Sequence, residues 1–184
     1  ETKIIVALLG VVTIFYGFID IPFIHPKRKL RDYGLLKIFF VALVWSITTL
    51  IVPLESSFVE TQMLVFLLLR RFLFILALTL VFEIKDLQSD REYNLKTLAM
   101  VFGISNTKIY AQLILFLLIV TNAVQYFFFD VSLMNMIAVN LSLIVSIIAI
   151  QPLKEETAEV WYYLVIDGMM LLQFAFVFIG TKYL

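Results

Sequence analysis

Glu83, Asp86 and Asp90 sit in the segment Glu83-Ile84-Lys85-Asp86-Leu87-Gln88-Ser89-Asp90-Arg91-Glu92-Tyr93-Asn94-Leu95-Lys96-Thr97-Leu98. On a helix, which turns about 100° per residue, their directions are roughly 0°, 300° and 340°, so all three carboxylates share one face. Such a face concentrates anionic oxygen. Hard divalent cations, Mg²⁺ above all, are held by one or two carboxylates together with substrate phosphate oxygens, water completing the octahedron. With Lys85, Arg91 and Lys96 close by, the segment suits a metal–diphosphate complex. The same mixture of charges also solubilises a helix end that meets water, and charge content alone does not separate the two readings.

The elements that must position these residues follow from composition. Of 184 residues, 62% are hydrophobic and only 15% charged, and the mean hydropathy is +1.03. A soluble domain is roughly half apolar and about a quarter charged. In water this chain would leave large apolar patches exposed, whereas a bilayer accepts them. The chain reads as an integral membrane protein. Fourteen Lys and Arg balance fourteen Asp and Glu, so nothing in the net charge points to nucleic acid. There is no Cys and a single His, which excludes a disulfide framework, a thiolate metal site and a histidine cluster.

Spanning helices need about 20 mostly apolar residues, and about six such runs are present. They are Lys3 to Ile24, Tyr33 to Val52, Glu60 to Phe82, Lys108 to Phe129, Val131 to Ile150 and Trp161 to Gly180. Continuous apolar runs without period-two alternation favour helices over a β-barrel. The predicted fold is therefore all-α, a polytopic transmembrane bundle forming one domain over residues 1–184. His25-Pro26, Val52-Pro53 and Gln151-Pro152 are helix stops, because proline disfavours the α conformation in the residue before it. Lys27, Arg28, Lys29 and Arg31 follow the first run, Lys85, Arg91 and Lys96 follow the third, and Lys154 follows the fifth. The alternate connections, around Leu54 to Phe58 and at Asp130, carry no basic residue. This asymmetry predicts that the carboxylate segment is cytoplasmic, in a bacterial inner membrane or its equivalent.

Glu83-x-x-Asp86-x-x-x-Asp90-Arg91, followed by Asn94-Leu95-Lys96-Thr97-Leu98 and Gly103, resembles the second aspartate-rich motif of the UbiA superfamily of intramembrane prenyltransferases. Glu83 stands for the family's first aspartate and Asn94 for its usual glycine. Tyr16-Gly17, the basic run Lys27 to Arg31, Gly34-Leu35-Leu36-Lys37, Val44-Trp45 and Pro53 look like the family's basic loop and following helix. Tyr162-Tyr163 and Asp167-Gly168 resemble its last helix. The resemblance implies helices four to nine of a nine-helix bundle. It also implies transfer of a polyprenyl group from a polyprenyl diphosphate to a lipophilic, possibly aromatic acceptor, with Mg²⁺ as cofactor. Carried over by position, Asp86 and Asp90 would be magnesium ligands and Glu83 a weaker or water-mediated one. Lys96 and Arg91 would neutralise diphosphate oxygens, Tyr16 would lie close to substrate, and Asp167 would line the site. The family's first aspartate-rich motif is absent from these 184 residues, so the expectation is that this is the C-terminal part of a longer chain and that it is not catalytic alone.

Arg70 and Arg71 fall near the middle of the third run, where a charge must be paired or must reach water. They could snorkel, or pair with Asp20, Asp167 or helix carbonyls, and they lie about 20 Å along a straight helix from Asp86. Two further function classes stay open on sequence alone. One is a non-catalytic UbiA-like membrane subunit with partners in a complex or a lipid-binding role. The other is a transporter using Arg70, Arg71 and Asp167 as a charge pathway.

Overall fold

The computed structural model describes residues 10–11, 34–51, 60–92, 97–129 and 131–182. The first predicted span, apart from Gly10 and Val11, and the basic run after it lie outside the described residues. The rest is helical: α1 (Gly34–Leu50), α2 (Thr61–Lys85), α3 (Leu87–Glu92), α4 (Leu98–Phe128), α5 (Leu133–Ile150), α6 (Glu159–Trp161) and α7 (Gly168–Lys182), with a π turn, Tyr162–Ile166, joining the last two. Four stretches are long and apolar enough to cross a membrane, namely α2, α4, α5 and the continuous Glu159–Gly180. A shorter apolar helix, Leu36–Leu50, lies within α1.

α2 is the central helix, packed against α1 on one side and α4 on the other, while α5 packs against α4 and α7. The seams set small and polar residues among large apolar ones at helical spacing. On α1 the buried positions are Ile38, Ala42 and Ser46, and on α4 they include Ala111, Leu115, Leu118, Asn122 and Gln125. Within a bilayer there is no hydrophobic drive between helices, so close approach through small residues and interhelical hydrogen bonds must hold them together. Ser142 and Ser146 donate to the carbonyls of Val139 (2.6 Å) and Ser142 (2.8 Å), and so they pack as small residues with their hydroxyls already satisfied. Asn122 crosses from α4 to α5, donating to Asn140 Oδ1 at 2.9 Å and to the Met136 carbonyl at 3.2 Å. The outward faces carry exposed Val65, Leu69, Leu113, Phe116, Phe127 and Phe174, the surface that lipid covers rather than water.

Two helix ends differ from the sequence reading. α2 runs past Phe82 to Lys85, which brings Glu83 inside the spanning helix. α4 begins ten residues before Lys108, at Leu98, and bends at Gly103, whose φ of 78° and ψ of 164° are not helical. This conformation is essentially restricted to glycine. A Cβ at Gly103 would meet nothing within 4 Å, so the need for glycine is one of backbone strain and not of space. Gly103→Ala is expected to cost about 1–3 kcal/mol, read as an earlier unfolding midpoint in a denaturant titration of the detergent-solubilised protein, with the spectroscopic signature of the folded state unchanged.

Candidate functional site

The carboxylate segment keeps its helical course through a single turn residue. The Asp86 amide bonds back to the Phe82 carbonyl (3.1 Å), and the Asp90 amide bonds to the Asp86 carbonyl (2.8 Å). Glu83, Asp86 and Asp90 are thereby turned toward one cation, Lys37, which α1 supplies from its first turn. Lys37 Nζ lies 3.2 Å from Asp86 Oδ2 and 3.4 Å from Glu83 Oε1, and Asp90 also acts on it electrostatically. Lys85 Nζ holds the other Asp86 oxygen at 2.8 Å and stands 5.5 Å from the centre of the Tyr163 ring.

The three carboxylates have different settings. Glu83 is 1% exposed; its Oε2 accepts from the Leu98 amide at 3.3 Å and its Oε1 faces Lys37. The Leu98 amide is one of the donors left open at the start of α4, and Thr97 before it makes no side-chain cap. Glu83 therefore caps a helix fifteen residues away in the chain, and its charge suits that helix end. Asp86 lines a cavity between α1, α2 and the last helix and is partly exposed. Burial pushes its carboxyl upward, but the hydrogen bond and charge of Lys85, together with Lys37, outweigh this and hold it below the ordinary aspartate range. Asp90 is buried, and burial raises its carboxyl above that range. Its Oδ2 has no hydrogen-bond partner.

Beside this cluster a cavity of about 470 Å³ runs between α1, α2 and the last helix. Lys37, Glu83, Asp86 and Asp167 give it a polar end, and its remaining wall is mostly apolar, including Trp45, Leu78 and Phe82. The π turn places Asp167. Its amide bonds to the Tyr162 carbonyl, five residues back, at 3.0 Å, so Tyr162 and Ile166 are buried while Asp167 remains exposed at the cavity. Phe82 meets Tyr162 and Tyr163 with ring centroids 5.9 and 6.3 Å apart, which seats the π turn against the end of α2.

Other residues singled out in the sequence stand elsewhere. Arg91 is exposed and pairs with Glu155 of the connection between α5 and α6, away from the cavity lining. Tyr16 and Lys96 lie outside the described residues. The residue that sequence reasoning passed over is Lys37, which appeared only as part of a helix-start pattern. A lysine at the end of an apolar helix ordinarily snorkels to water, and only the fold shows that it turns inward to three acids.

Among the described residues no group of three or more acidic or imidazole side chains is placed to hold a metal ion. Glu83 Oε2 is taken by the Leu98 amide, while Oε1 faces Lys37 at 3.4 Å without a hydrogen bond. Asp86 is engaged on both oxygens, by Lys85 and Lys37, and would take an ion only in exchange for a lysine. The buried carboxylate oxygens of the cluster without a hydrogen-bond partner are Glu83 Oε1 and Asp90 Oδ2, the type of donor Mg²⁺ uses when phosphate oxygens complete its shell. No family model matches the chain, and neither a curated protein nor a solved structure matches it.

Removing the Lys37 cation leaves Glu83 buried and uncompensated. Fully buried pairs broken in this way lose about 3–5 kcal/mol, and the partial exposure of Lys37 brings the expected cost of Lys37→Met to about 2–3 kcal/mol. Glu83→Gln in the same chain should recover most of that loss, and a double-mutant cycle by denaturant unfolding measures it. Asp86 supplies a pH test. Its carboxyl titrates lower in the folded state than in the unfolded state, so its stabilisation is present above the ordinary value of 3.8 and is lost as pH falls through the depressed value. Asp86→Asn should thus be less stable than the native protein at neutral pH, with the gap closing in acid; a gap that stays constant down to pH 2.5 would remove the ion-pair assignment.

Proposed function

We propose that this chain is part of a UbiA-type intramembrane prenyltransferase, transferring a polyprenyl group from a polyprenyl diphosphate to a lipophilic, possibly aromatic acceptor. The observation that carries the proposal is the cavity in which cations and carboxylates at one end continue into an apolar wall. That shape and polarity suit a molecule with a phosphorylated head and a hydrocarbon tail. Asp86 and Asp90 would hold Mg²⁺, which when bound supplies positive charge against the negative charge that builds on a departing diphosphate. Lys37 and Lys85 both pair with Asp86 and would bond the diphosphate oxygens beside Lys96 and Arg91, to which the resemblance gives that role; Arg91 is turned to Glu155, and Lys96 lies outside the described residues. Asp167 would line the substrate site and Tyr16 would approach it. The apolar walls would exclude water from an allylic carbon as its bond to oxygen breaks. The basic connections would place this end on the cytoplasmic side.

A second reading rests on a specific observation. Lys37 already offsets part of the carboxylate charge, as it would in a non-catalytic subunit that keeps the cluster only to join helices. Binding of farnesyl or geranylgeranyl diphosphate to the complete protein in detergent separates the two. The prenyltransferase reading expects Mg²⁺-dependent binding that weakens about tenfold or more in Asp86→Ala/Asp90→Ala. A folded, complete protein that binds neither diphosphate with or without Mg²⁺ would instead establish the subunit.

A further inference from the structure

The other end of the bundle holds a second cavity of about 490 Å³, between α1, α2, α4, α5 and α7. Its polar wall is Arg70, Arg71, Asn122, Gln125, Asn135 and Gln173. Arg71 is held in place, with Nε donating to Thr49 Oγ1 at 3.1 Å and Nη1 to Gln173 Oε1 at 3.2 Å. Arg70 rests against the Phe66 ring, 5.9 Å from its centre, with its Nε buried and without a hydrogen-bond partner. Neither guanidinium forms an ion pair among the described residues, Asp167 included; Asp20 lies outside them.

Two carboxamides are also left open. Gln125 is 3% exposed; its Oε1 has no partner and its Nε2 meets only Met63 Sδ at 3.8 Å. A carboxamide carries both a donor and an acceptor, so reversing it would still leave one polar atom unmatched. Asn135 Oδ1 is buried and unpartnered as well.

Two guanidiniums in an apolar bundle require an anion or water. Arg70 is about 14 Å along α2 from Thr61, from a rise of about 1.5 Å per residue, within the hydrocarbon layer. The cavity continues from there toward Met63 at the start of α2 and Leu50 at the end of α1, which is the direction of the nearer headgroup layer. The rest of its wall is mostly apolar. An occupant that satisfies every part of this wall is an amphiphile with an anionic head that also carries hydroxyls. We propose that this cavity binds the phosphate-bearing headgroup of an anionic lipid, of the phosphoglycerol class, drawn from the leaflet opposite the carboxylate cluster. Arg70 and Arg71 grip the phosphate, Gln125 and Asn135 bond the headgroup hydroxyls, and the acyl chains leave along the apolar wall. The site is independent of the prenyltransferase reading.

The test uses the full chain in phosphatidylcholine nanodiscs titrated with phosphatidylglycerol, with lipid retained after gentle detergent release counted by native mass spectrometry. The expected result is preferential retention of phosphatidylglycerol over phosphatidylcholine by about tenfold or more, falling to no preference in Arg70→Leu/Arg71→Leu. Arg70→Lys/Arg71→Lys keeps the charge but loses the two-pronged grip and should be intermediate. Equal retention of the two lipids by the unaltered protein overturns the proposal even if the leucine variant does not fold. So does undiminished preference in a folded leucine variant. Glycerol phosphate or inorganic phosphate binding as tightly as the lipid in pure phosphatidylcholine discs would identify a soluble phosphate as the ligand and overturn the lipid assignment.

Discussion

A carboxylate that enters an apolar helix bundle must be met by a cation or donors, and the way Glu83 is met organises the end of the molecule that holds the acidic cluster. Its side chain joins three segments at once: α2, on which it sits; α1, through Lys37; and α4, through the Leu98 amide. A buried ion pair gains little net stability by itself, since desolvation offsets most of the attraction. Its effect is geometric. Sliding α1 by one turn would strand the Glu83 charge, and restarting α4 elsewhere would leave its first amides unpaired. The register of these three helices, and hence the cavity between α1, α2 and the last helix, follows from satisfying one acid.

This dependence also explains what could be read in advance. Long apolar runs mark helices whether or not their partners are known, so the spans around α2, α5 and the last helix were legible, and so was the common face of Glu83, Asp86 and Asp90. The start of α4 was not. Leu98 to Thr107 is less apolar than the run that follows, Thr97 offers no side-chain cap, and the acceptor that begins the helix lies on another element. Gly103 was noticed as part of a motif, but its positive φ is a property of the bend. Lys37 and Arg91 went the same way: both are cations near a helix end, and nothing local in either stretch distinguishes the one that turns toward three acids from the one that pairs with Glu155 at the surface. The π turn that places Asp167 accommodates an extra residue within the helix, for which hydrophobic periodicity has no signal.

The two ends of α2 make a physical contrast. Arg70 and Asp86 are sixteen positions apart, about 24 Å at 1.5 Å per residue. At the Asp86 end, acids and lysines neutralise one another. At the Arg70 end, positive charge is met only by neutral side chains among the described residues: Thr49, Gln173 and the Phe66 ring. An anion can enter the second site directly, because it adds the charge that is lacking. The first site resists a bare anion: a diphosphate reaching Lys37 would face Asp86 and Glu83 and would have to compete for a cation already held at 3.2 and 3.4 Å.

That competition bears on the chemistry at the carboxylate end. A polyanionic head can occupy a site lined by acids only if additional positive charge arrives with it, and a divalent ion shared between Asp86, Asp90 and phosphate oxygens supplies that charge while turning the acids from repulsive to attractive neighbours. Asp86 lines the cavity, and Asp90, outside its lining, keeps one oxygen without a hydrogen-bond partner. Glu83 lines the cavity too, while joining the helices through Lys37 and the Leu98 amide. Glu83 and Asp90 are both buried, and Asp86 is the most exposed of the three. On this argument, the spacing of the motif serves the fold first: Glu83 joins three helices, and Asp86, a turn further on, lines the cavity between Lys37 and Lys85.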